Sequence, residues 1–450
     1  MEFKYGLEDR PPPGEYLLMG LQWCALMVPF LIILGKIAAA YHLADPADQT
    51  TYLQKMAFII AVFLVLEILW GHRLPLIMGP SSVILIGIIS SHGFDLFAIS
   101  TAVISGGVIL ALAGITGVFG YLQRLFTPRV VAVVLLLIAF TLTPTILRLV
   151  TDPQGSSPQV NMVYALMLTA VTLILHRLLT GIWKSVLIML SMLGGSAVYF
   201  FIFPENLNMT AVASSKFIAP FFTNMIGHLS FDTGLLISFF VCFVALSIND
   251  LGSMQSMNAL VNTEDMAKRL NRGVFFTGLA NVTAGIFGVI GQVNYSMSVG
   301  VVAATGCMSR FTLLPAAAVL LLISFSPMTI GFLGIVPPVV IGSIMFYVLC
   351  SQVSAGLIVA FESLRQFTFD DGMIIGMPIL IATVIAFMPA AFFQEFPQLL
   401  RPIVGNGFVV GVIIVLLMEH GIFRKSGSQK EDAGRDQSLQ GLRKRSQHDN

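Results

Sequence analysis

The chain has 450 residues, 56% of them hydrophobic and 10% charged, with a formal net charge of +1. Soluble domains carry roughly a quarter charged residues, so a soluble enzyme or nucleic-acid binder is excluded and an integral membrane protein is expected. A net charge this close to zero names no partner.

The N-terminus, "MEFKYGLEDRPPPGEY", is charged and proline-rich and leads straight into a full-length span, unlike a cleavable signal peptide. About fourteen hydrophobic segments follow, over 15–39, 53–71, 75–91, 98–122, 130–150, 160–179, 183–204, 232–257, 273–290, 295–306, 311–332, 337–359, 371–391 and 402–423. A run of about 20 apolar residues crosses roughly 30 Å of hydrocarbon as a helix. The third and tenth segments are shorter and interrupted by glycine or proline.

In the first segment Trp23 reads as belt or packing, and Lys36 near its outer end is expected to snorkel toward the headgroups. The second carries Glu67 in "FLVLEILWGHRLP", about one turn from the segment's end, with His72 and Arg73 beside it, a pattern that suggests an interfacial ion pair. The third holds "GPSSV", with Gly79, Ser81 and Ser82. In the eighth, "CFVALSINDLGSMQSMNAL", Asp250 lies deep in an apolar run, at a cost of roughly 2.5–3.5 kcal/mol on insertion scales. At about 100° per residue Asn249, Ser253 and Ser256 share one helix face, with Asp250 off its edge. That face meets a solute, or Asp250 caps or pairs within the bundle. The tenth, "QVNYSMSVGVVAATGCMSR", gathers Gln292, Asn294, Tyr295, Ser296, Ser298, Gly300 and Thr305 between greasy neighbours. The polar tail from Arg424 is expected to be disordered. Cys24, Cys242, Cys307 and Cys350 have no paired spacing and are expected to be small buried hydrophobes, so neither a disulfide, a metal nor a cofactor is predicted.

Basic residues set orientation. With the N-terminus in the cytoplasm, loops on that side hold Arg73, Arg124, Arg129, Arg177, Lys184, Lys268, Arg269, Arg272, Arg310 and Arg365, against Lys55, Arg148, Lys216 and Arg401 opposite. Both termini are therefore expected inside, in a multi-pass protein of the plasma (inner) membrane. Two short motifs recur at an offset of about seven segments: "TPRVV" at Thr127–Val131 with "VPPVV" at Val336–Val340, and "GPSSV" at Gly79–Val83 with "YSMSVG" at Tyr295–Gly300. Seven is odd, so the second copy would run upside down relative to the first. Ten helical residues cannot span a bilayer, and non-helical backbone at membrane depth must be buried in protein or line a wet cavity. Paired half-spans in an inverted repeat point to a solute site near the midplane. Ser81, Ser82, Ser296 and Ser298 could bind an uncharged polar solute there, with Gly79 and Gly300 letting it approach the main chain. The competing reading is a surface for helix packing.

Over nearly its whole length the chain resembles the nucleobase–ascorbate transporters, the nucleobase:cation symporter-2 family. The likeness rests on Met297, Ser298, Val299, Gly300, Thr305, Gly306, Ser309 and Arg310 of the tenth segment, on "GLANVTAGIFGVIG" before it, and on "LPLIMGPSSV", "LQW", "LFTPRVV" and "LRPIVGNGFVVGVIIVLLME". It implies an all-α membrane protein of 14 segments in a 7+7 inverted repeat, with half-spans at segments 3 and 10 that are compatible with short β-strands. A core domain (15–125 and 232–333) and a gate domain (126–231 and 334–423) would lie between a cytoplasmic N-terminus (1–14) and the tail (424–450). The implied function is secondary active import of a purine or pyrimidine base of the xanthine, urate or uracil class, with co-transported H⁺ or Na⁺. The base would lie between segments 3, 8 and 10, and the chains would pair as a homodimer through their gates in the lipid bilayer. No enzyme activity is implied.

Carried residue by residue, the resemblance assigns substrate contacts to Trp23, Ser81, Ser82, Asn249, Ser253, Tyr295, Met297, Ser298 and Gly300. Four of these depart from the family pattern. Asn249 stands where members have a base-gripping Glu, Met297 and Ser298 stand where they have an acid or amide and an Asn, and Trp23 stands where they have His. Asn249 still offers an acceptor and a donor but takes up no proton, so Asp250 or Glu67 would have to couple a cation. Rival readings are a same-fold anion carrier like the sulfate permease relatives, an intramembrane enzyme, for which no paired carboxylates or His/Asp cluster appears, and a non-transporting sensor.

Overall fold

A computed structural model of the chain describes residues 4–91, 93–117, 127–151, 157–207, 209, 215–223, 225–362 and 367–423. The polar tail from Arg424, Arg124 and Arg365 lie outside them. Helix α1 (Pro13–His42) starts on a proline, which suits a first turn because its missing N–H would have no intrahelical partner there. Asp45 caps α2 (Pro46–Leu69) by accepting from Ala47 N–H. The chain then leaves helical form for β1 (Met78–Pro80) and resumes in α3 (Ser82–Ser90), only nine residues long. After α4 (Leu96–Thr116), the predicted fifth segment is two helices, α5 (Pro128–Thr141) and α6 (Thr143–Thr151). They part at Leu142, just before Pro144, which cannot continue the preceding hydrogen-bond ladder. Next come α7 (Pro158–Leu178), α8 (Leu187–Ile202), α9 (Thr233–Val261) and α10 (Met266–Phe287).

The second interruption mirrors the first: β2 (Gln292–Asn294) followed by the eight-residue α11 (Ser298–Thr305). The eleventh segment, expected as one span, is α12 (Leu314–Ser324) and α13 (Pro327–Leu333), with a bend of 107° where Pro327 withholds its N–H. α14 (Pro338–Glu362), α15 (Phe369–Phe387) and α16 (Gly407–Leu417) complete the bundle. Among the described residues eight helices are long and apolar enough to cross a membrane, nine if the bent pair counts as one span. α10 runs beside them but carries Lys268, Arg269 and Arg272 in its first turns.

The packing falls into two groups. In one, α4 lies along α10, α2 along α12, α9 against α4, and α1 against α12. The α4–α10 seam is close because it is built from glycine. A Cβ on Gly107 would stand 2.7 Å from Val282 N, and one on Gly278 would stand 2.4 Å from Ala111 N. Small residues of this kind let membrane helices approach backbone to backbone. In the other group α5 lies along α14 and α15, α7 along α14, and α16 against α15 and α5. Arg129 at the start of α5 ties this group together through Asp371 and Glu419, each at 2.9 Å. A strap of residues 4–9 runs parallel to 306–310, with Lys4 N–H donating to Gly306 O and Met308 N–H to Tyr5 O, and Arg310 pairs with Glu8 at 2.6 Å.

Two expectations are corrected here. Lys36 does not snorkel: its ammonium donates to the carbonyls of Gly334 (2.6 Å) and Val336 (3.1 Å) in the break between α13 and α14. Cys350 is exposed, whereas Cys24, Cys242 and Cys307 are buried as predicted.

Candidate functional site

The two half-spans cross. β1 and β2 pair antiparallel in the register Met78↔Asn294, Gly79↔Val293 and Pro80↔Gln292. Ser81 N–H donates to Gly291 O and Tyr295 N–H to Ile77 O, which extends the ladder at both ends. The main-chain groups released when the helices break thus satisfy one another inside the protein. Gly79 is required at the crossing: a Cβ there would sit 2.8 Å from the Tyr295 ring, whose hydroxyl donates to Pro80 O at 2.6 Å.

Around this crossing the sequence-predicted residues separate into two sets. Several have their polar groups engaged by the protein. Ser298 Oγ accepts from Ile77 N–H (3.0 Å) and donates to Tyr295 O (2.8 Å), which clamps one half-span to the other. Ser81 Oγ caps α3 by accepting from Ile84 N–H. Ser253 Oγ donates to the carbonyls of Asn249 (2.8 Å) and Asn294 (2.9 Å). Trp23, to which the resemblance assigns a substrate contact, is 3% exposed, donates from Nε1 to Thr312 Oγ1 at 3.0 Å and packs against the 310–313 turn. The ring that meets Tyr295 is Phe30, edge-on at 5.1 Å. The second set faces space. Asn249, Tyr295, Met297 and Ser82 are half-buried, Ser296, Gly300, Gln255 and Ser256 are exposed, and nothing stands within 4 Å of a Cβ built on Gly252 or Gly300. The amides of Ser82 and Val83, at the N-terminus of α3, have no hydrogen bond among the described residues.

Behind the strands lies a closed polar cluster. Asp250 Oδ1 accepts from Asn294 N–H (3.1 Å) and Asn294 Nδ2 (2.8 Å), so Asp250 points at β2 instead of off a solute-facing edge. Asn294 Nδ2 also reaches Thr277 Oγ1 at 3.3 Å, and the Thr277 hydroxyl donates to Glu67 Oε1 at 3.2 Å. Glu67 is fully buried, which corrects the interfacial ion pair expected of it. Its Oε2 accepts from His72 N–H at 3.1 Å and lies 3.7 Å from His72 Nε2. Asn281 holds the main chain of Gln292 with both ends of its amide, at 2.9 and 3.1 Å. Thr277 and Asn281 were missed in the sequence, whereas His72 was read there as a neighbour of Glu67. The signal available was Thr277 and Asn281 four apart on an otherwise apolar, glycine-rich span, which places them on one helix face.

Two cavities, of about 500 and 610 Å³, lie toward the far ends of α1 and α3, between the two helix groups. They meet at Tyr41 and Arg148, whose guanidinium sits over the tyrosine ring at 5.6 Å. Neither is lined by Asn249, Tyr295 or Gly300. The main chain is irregular and polar groups converge at the crossing, whereas the cavities are gaps between helix groups.

A family model described as Permease family, of the xanthine/uracil type, matches residues 14–391. A xanthine permease of Bacillus subtilis is 24% identical over 440 residues, covering 93% of this chain and 97% of its own length. The uric acid permease PucK of the same organism is 24% identical over 432 residues, with the same two coverages. The xanthine permease XanP of Escherichia coli K12 is 23% identical over 451 residues, covering 93% of this chain and 94% of its own. Among solved structures, the transmembrane domain of the cyanobacterial bicarbonate transporter BicA superposes with a TM-score of 0.62 at 18% identity, covering 86% of this chain and 96% of that one. The murine anion transporter Slc26a9 in its inward-facing state superposes with a TM-score of 0.61 at 12% identity, covering 91% and 69%. At such identities the solved structures establish the fold alone.

Proposed function

The chain belongs to the nucleobase–ascorbate transporter family, the xanthine/uracil type of permease, and from that premise we propose that it is a secondary active transporter for a purine or pyrimidine base. The observation that carries the reading is the crossing itself: two half-spans joined by a strand pair, closed on one side and open on the other. On the open side the amides of Ser82 and Val83 offer donors, and Asn249 offers a carbonyl and an amide to the N–H/C=O edge of a base. Tyr295 and Met297 supply apolar contact, and Gly252 and Gly300 leave room. Ser81, Ser253 and Ser298 hold the shape of the crossing, and Trp23 supports it through Thr312.

The fourteen-segment inverted repeat is part of the proposal. Its support is that the packing repeats at an offset of seven segments: α4 on α10 corresponds to α12 on α2, α5 on α15 to α14 on α7, and α9 on α4 to α1 on α12. In this reading the first group (15–125 and 232–333) is a core that moves against a gate (126–231 and 334–423), both termini are cytoplasmic, and the membrane is the plasma (inner) membrane. The apolar outer faces of α7, α14 and α15 meet lipid or a second copy. A co-transported cation would be bound by Asp250 or Glu67.

The test is uptake of radiolabelled xanthine, urate, uracil, guanine and adenine by transporter-deficient cells, with and without a protonophore. Saturable uptake of at least one base, reduced in Asn249→Ala, is expected. Normal membrane expression with no uptake of any base overturns the reading. A same-fold anion carrier is the second reading, so bicarbonate and sulfate belong in the same assay.

A further inference from the structure

Building on the carrier reading, we propose that the gap between the two helix groups is an electropositive vestibule on the way to the crossing, and that Arg148 captures the solute there as an anion, a planar base that has lost a ring proton, as urate has at neutral pH. The two cavities of the gap carry Lys36, Arg148 and Arg401, and among the described residues no aspartate or glutamate lines either. Asp45 and Glu395 neighbour lining residues in sequence without lining the gap themselves, and Asp45 is engaged in capping α2.

The three cations differ in what they meet. Lys36 donates to the carbonyls of Gly334 and Val336, and Arg401 to those of Phe396 (2.8 Å) and Gln394 (2.6 Å). A carbonyl satisfies an N–H group but carries no net charge, so both positive charges persist in the lining. The Arg148 guanidinium has no hydrogen bond or ion pair among the described residues and lies over the Tyr41 ring at 5.6 Å. It holds five N–H donors in one plane, a fork that grips two neighbouring acceptors on the edge of a flat anion. A basic residue that only fixes topology needs no concave surroundings, whereas Arg148 lines both cavities where they meet.

The place suits capture. In the orientation proposed above the gap faces outward, the side from which an importer takes its solute. α3 runs from the open amides of Ser82 and Val83 to Ser90 in the gap, and Ile86, one turn from Ser82, already lines a cavity. That is about 6 Å along the helix. Each cavity has a volume in the range of small-molecule sites. A cleft lined by one sign of charge raises the local concentration and the association rate of the opposite sign, and salt weakens the effect. Tyr41 belongs to α1 of one helix group and Arg148 to α6 of the other, so the captured anion would sit where the two groups meet.

The first arm of the experiment needs no base. Ser90→Cys is made in the full-length chain with Cys350→Ser, the remaining cysteines being buried. The purified protein is treated with an anionic and a cationic methanethiosulfonate, and the ratio of their rates is compared with that for a free thiol in solution. At low salt the ratio is expected to favour the anionic reagent about tenfold, to fall as salt rises, to drop about threefold in Arg148→Gln and to survive in Arg148→Lys. Should Arg148→Gln fail to fold, the salt dependence in the protein with Arg148 in place carries the test. A ratio equal to that of the free thiol, or one indifferent to salt or to Arg148→Gln, overturns the proposal. The second arm measures initial uptake of urate and of uncharged uracil by cells at several salt concentrations, with osmolarity held by sorbitol. The KM for urate is expected to rise with salt and in Arg148→Gln, and that for uracil to stay unchanged. Equal responses of the two bases overturn the anionic solute. Failure of the thiol arm leaves the carrier reading standing, and absence of all base uptake leaves the thiol result standing.

Discussion

The two arms of the crossing occupy matching places in the chain and do different work. On the first arm Ser81 caps α3 with its side chain, Gly79 lies against the Tyr295 ring, and the amides of Ser82 and Val83 stay unbonded. On the second arm α11 begins without a side-chain cap, and the amides of Ser298, Val299 and Gly300 fold back onto Tyr295, Ser296 and Met297. Ser298 reaches across to Ile77, and Gly300 faces open space. The first arm leaves main-chain donors available, and the second supplies the clamp and the room. Sequence symmetry between "GPSSV" and "YSMSVG" therefore predicts where the arms lie but not what each does.

Substitutions can break or sharpen that contrast. The largest effect is expected from Gly79→Val, which drives a branched side chain into Tyr295. Overpacking at a buried site costs about 1–3 kcal/mol or more, so thermal unfolding of the purified protein should fall sharply and uptake with it. Ser298→Ala leaves the buried Ile77 N–H without its acceptor, at a cost of about 1–3 kcal/mol, visible as lower thermal stability. If Ser298→Ala alters only the KM for a base, the hydroxyl is a ligand group and not a clamp.

Asn249→Ala should raise KM about tenfold, the loss of roughly one hydrogen bond to a solute, with thermal stability little changed because Asn249 is half-buried. Ser81→Ala removes a helix cap, worth about 1 kcal/mol, and should be milder than Ser298→Ala on the same thermal scan. The smallest stability effect is expected from Gly300→Ala, within about 0.5 kcal/mol, because a Cβ there meets nothing within 4 Å. Its effect should appear in uptake instead. Equal destabilisation by Gly79→Val and Gly300→Ala would remove the distinction between the arms.

Much of the scaffold was legible in the sequence. Runs such as 53–71 and 337–359 are long and apolar, and a span's length follows from bilayer thickness alone. The two short segments were recognisable for the same reason, because they are too brief to cross. What misled was local chemistry without depth. Glu67 lies near His72 and Arg73 in sequence, which looks interfacial, yet the turn after α2 folds inward and places it against Thr277. Asp250 and Asn249 are adjacent and polar, but only the direction of β2 sends one to the closed side and leaves the other toward the open one.

Hydrophobic length and the placing of glycine and proline thus determined by themselves that this chain is a membrane bundle with two segments too short to cross, because hydrocarbon permits few other backbones. Only the tertiary structure decided which polar atoms are spent. Each hydroxyl, amide or carboxylate near the crossing has several partners within reach along the chain, and the register Gly79↔Val293 selects among them. That register satisfies Ser81, Ser253 and Ser298 inside the protein and leaves Asp250 Oδ2, Asn294 Oδ1 and Gln292 Oε1 without donors. Hydrogen-bond satisfaction is a property of three-dimensional neighbours, and no one-dimensional pattern contains it.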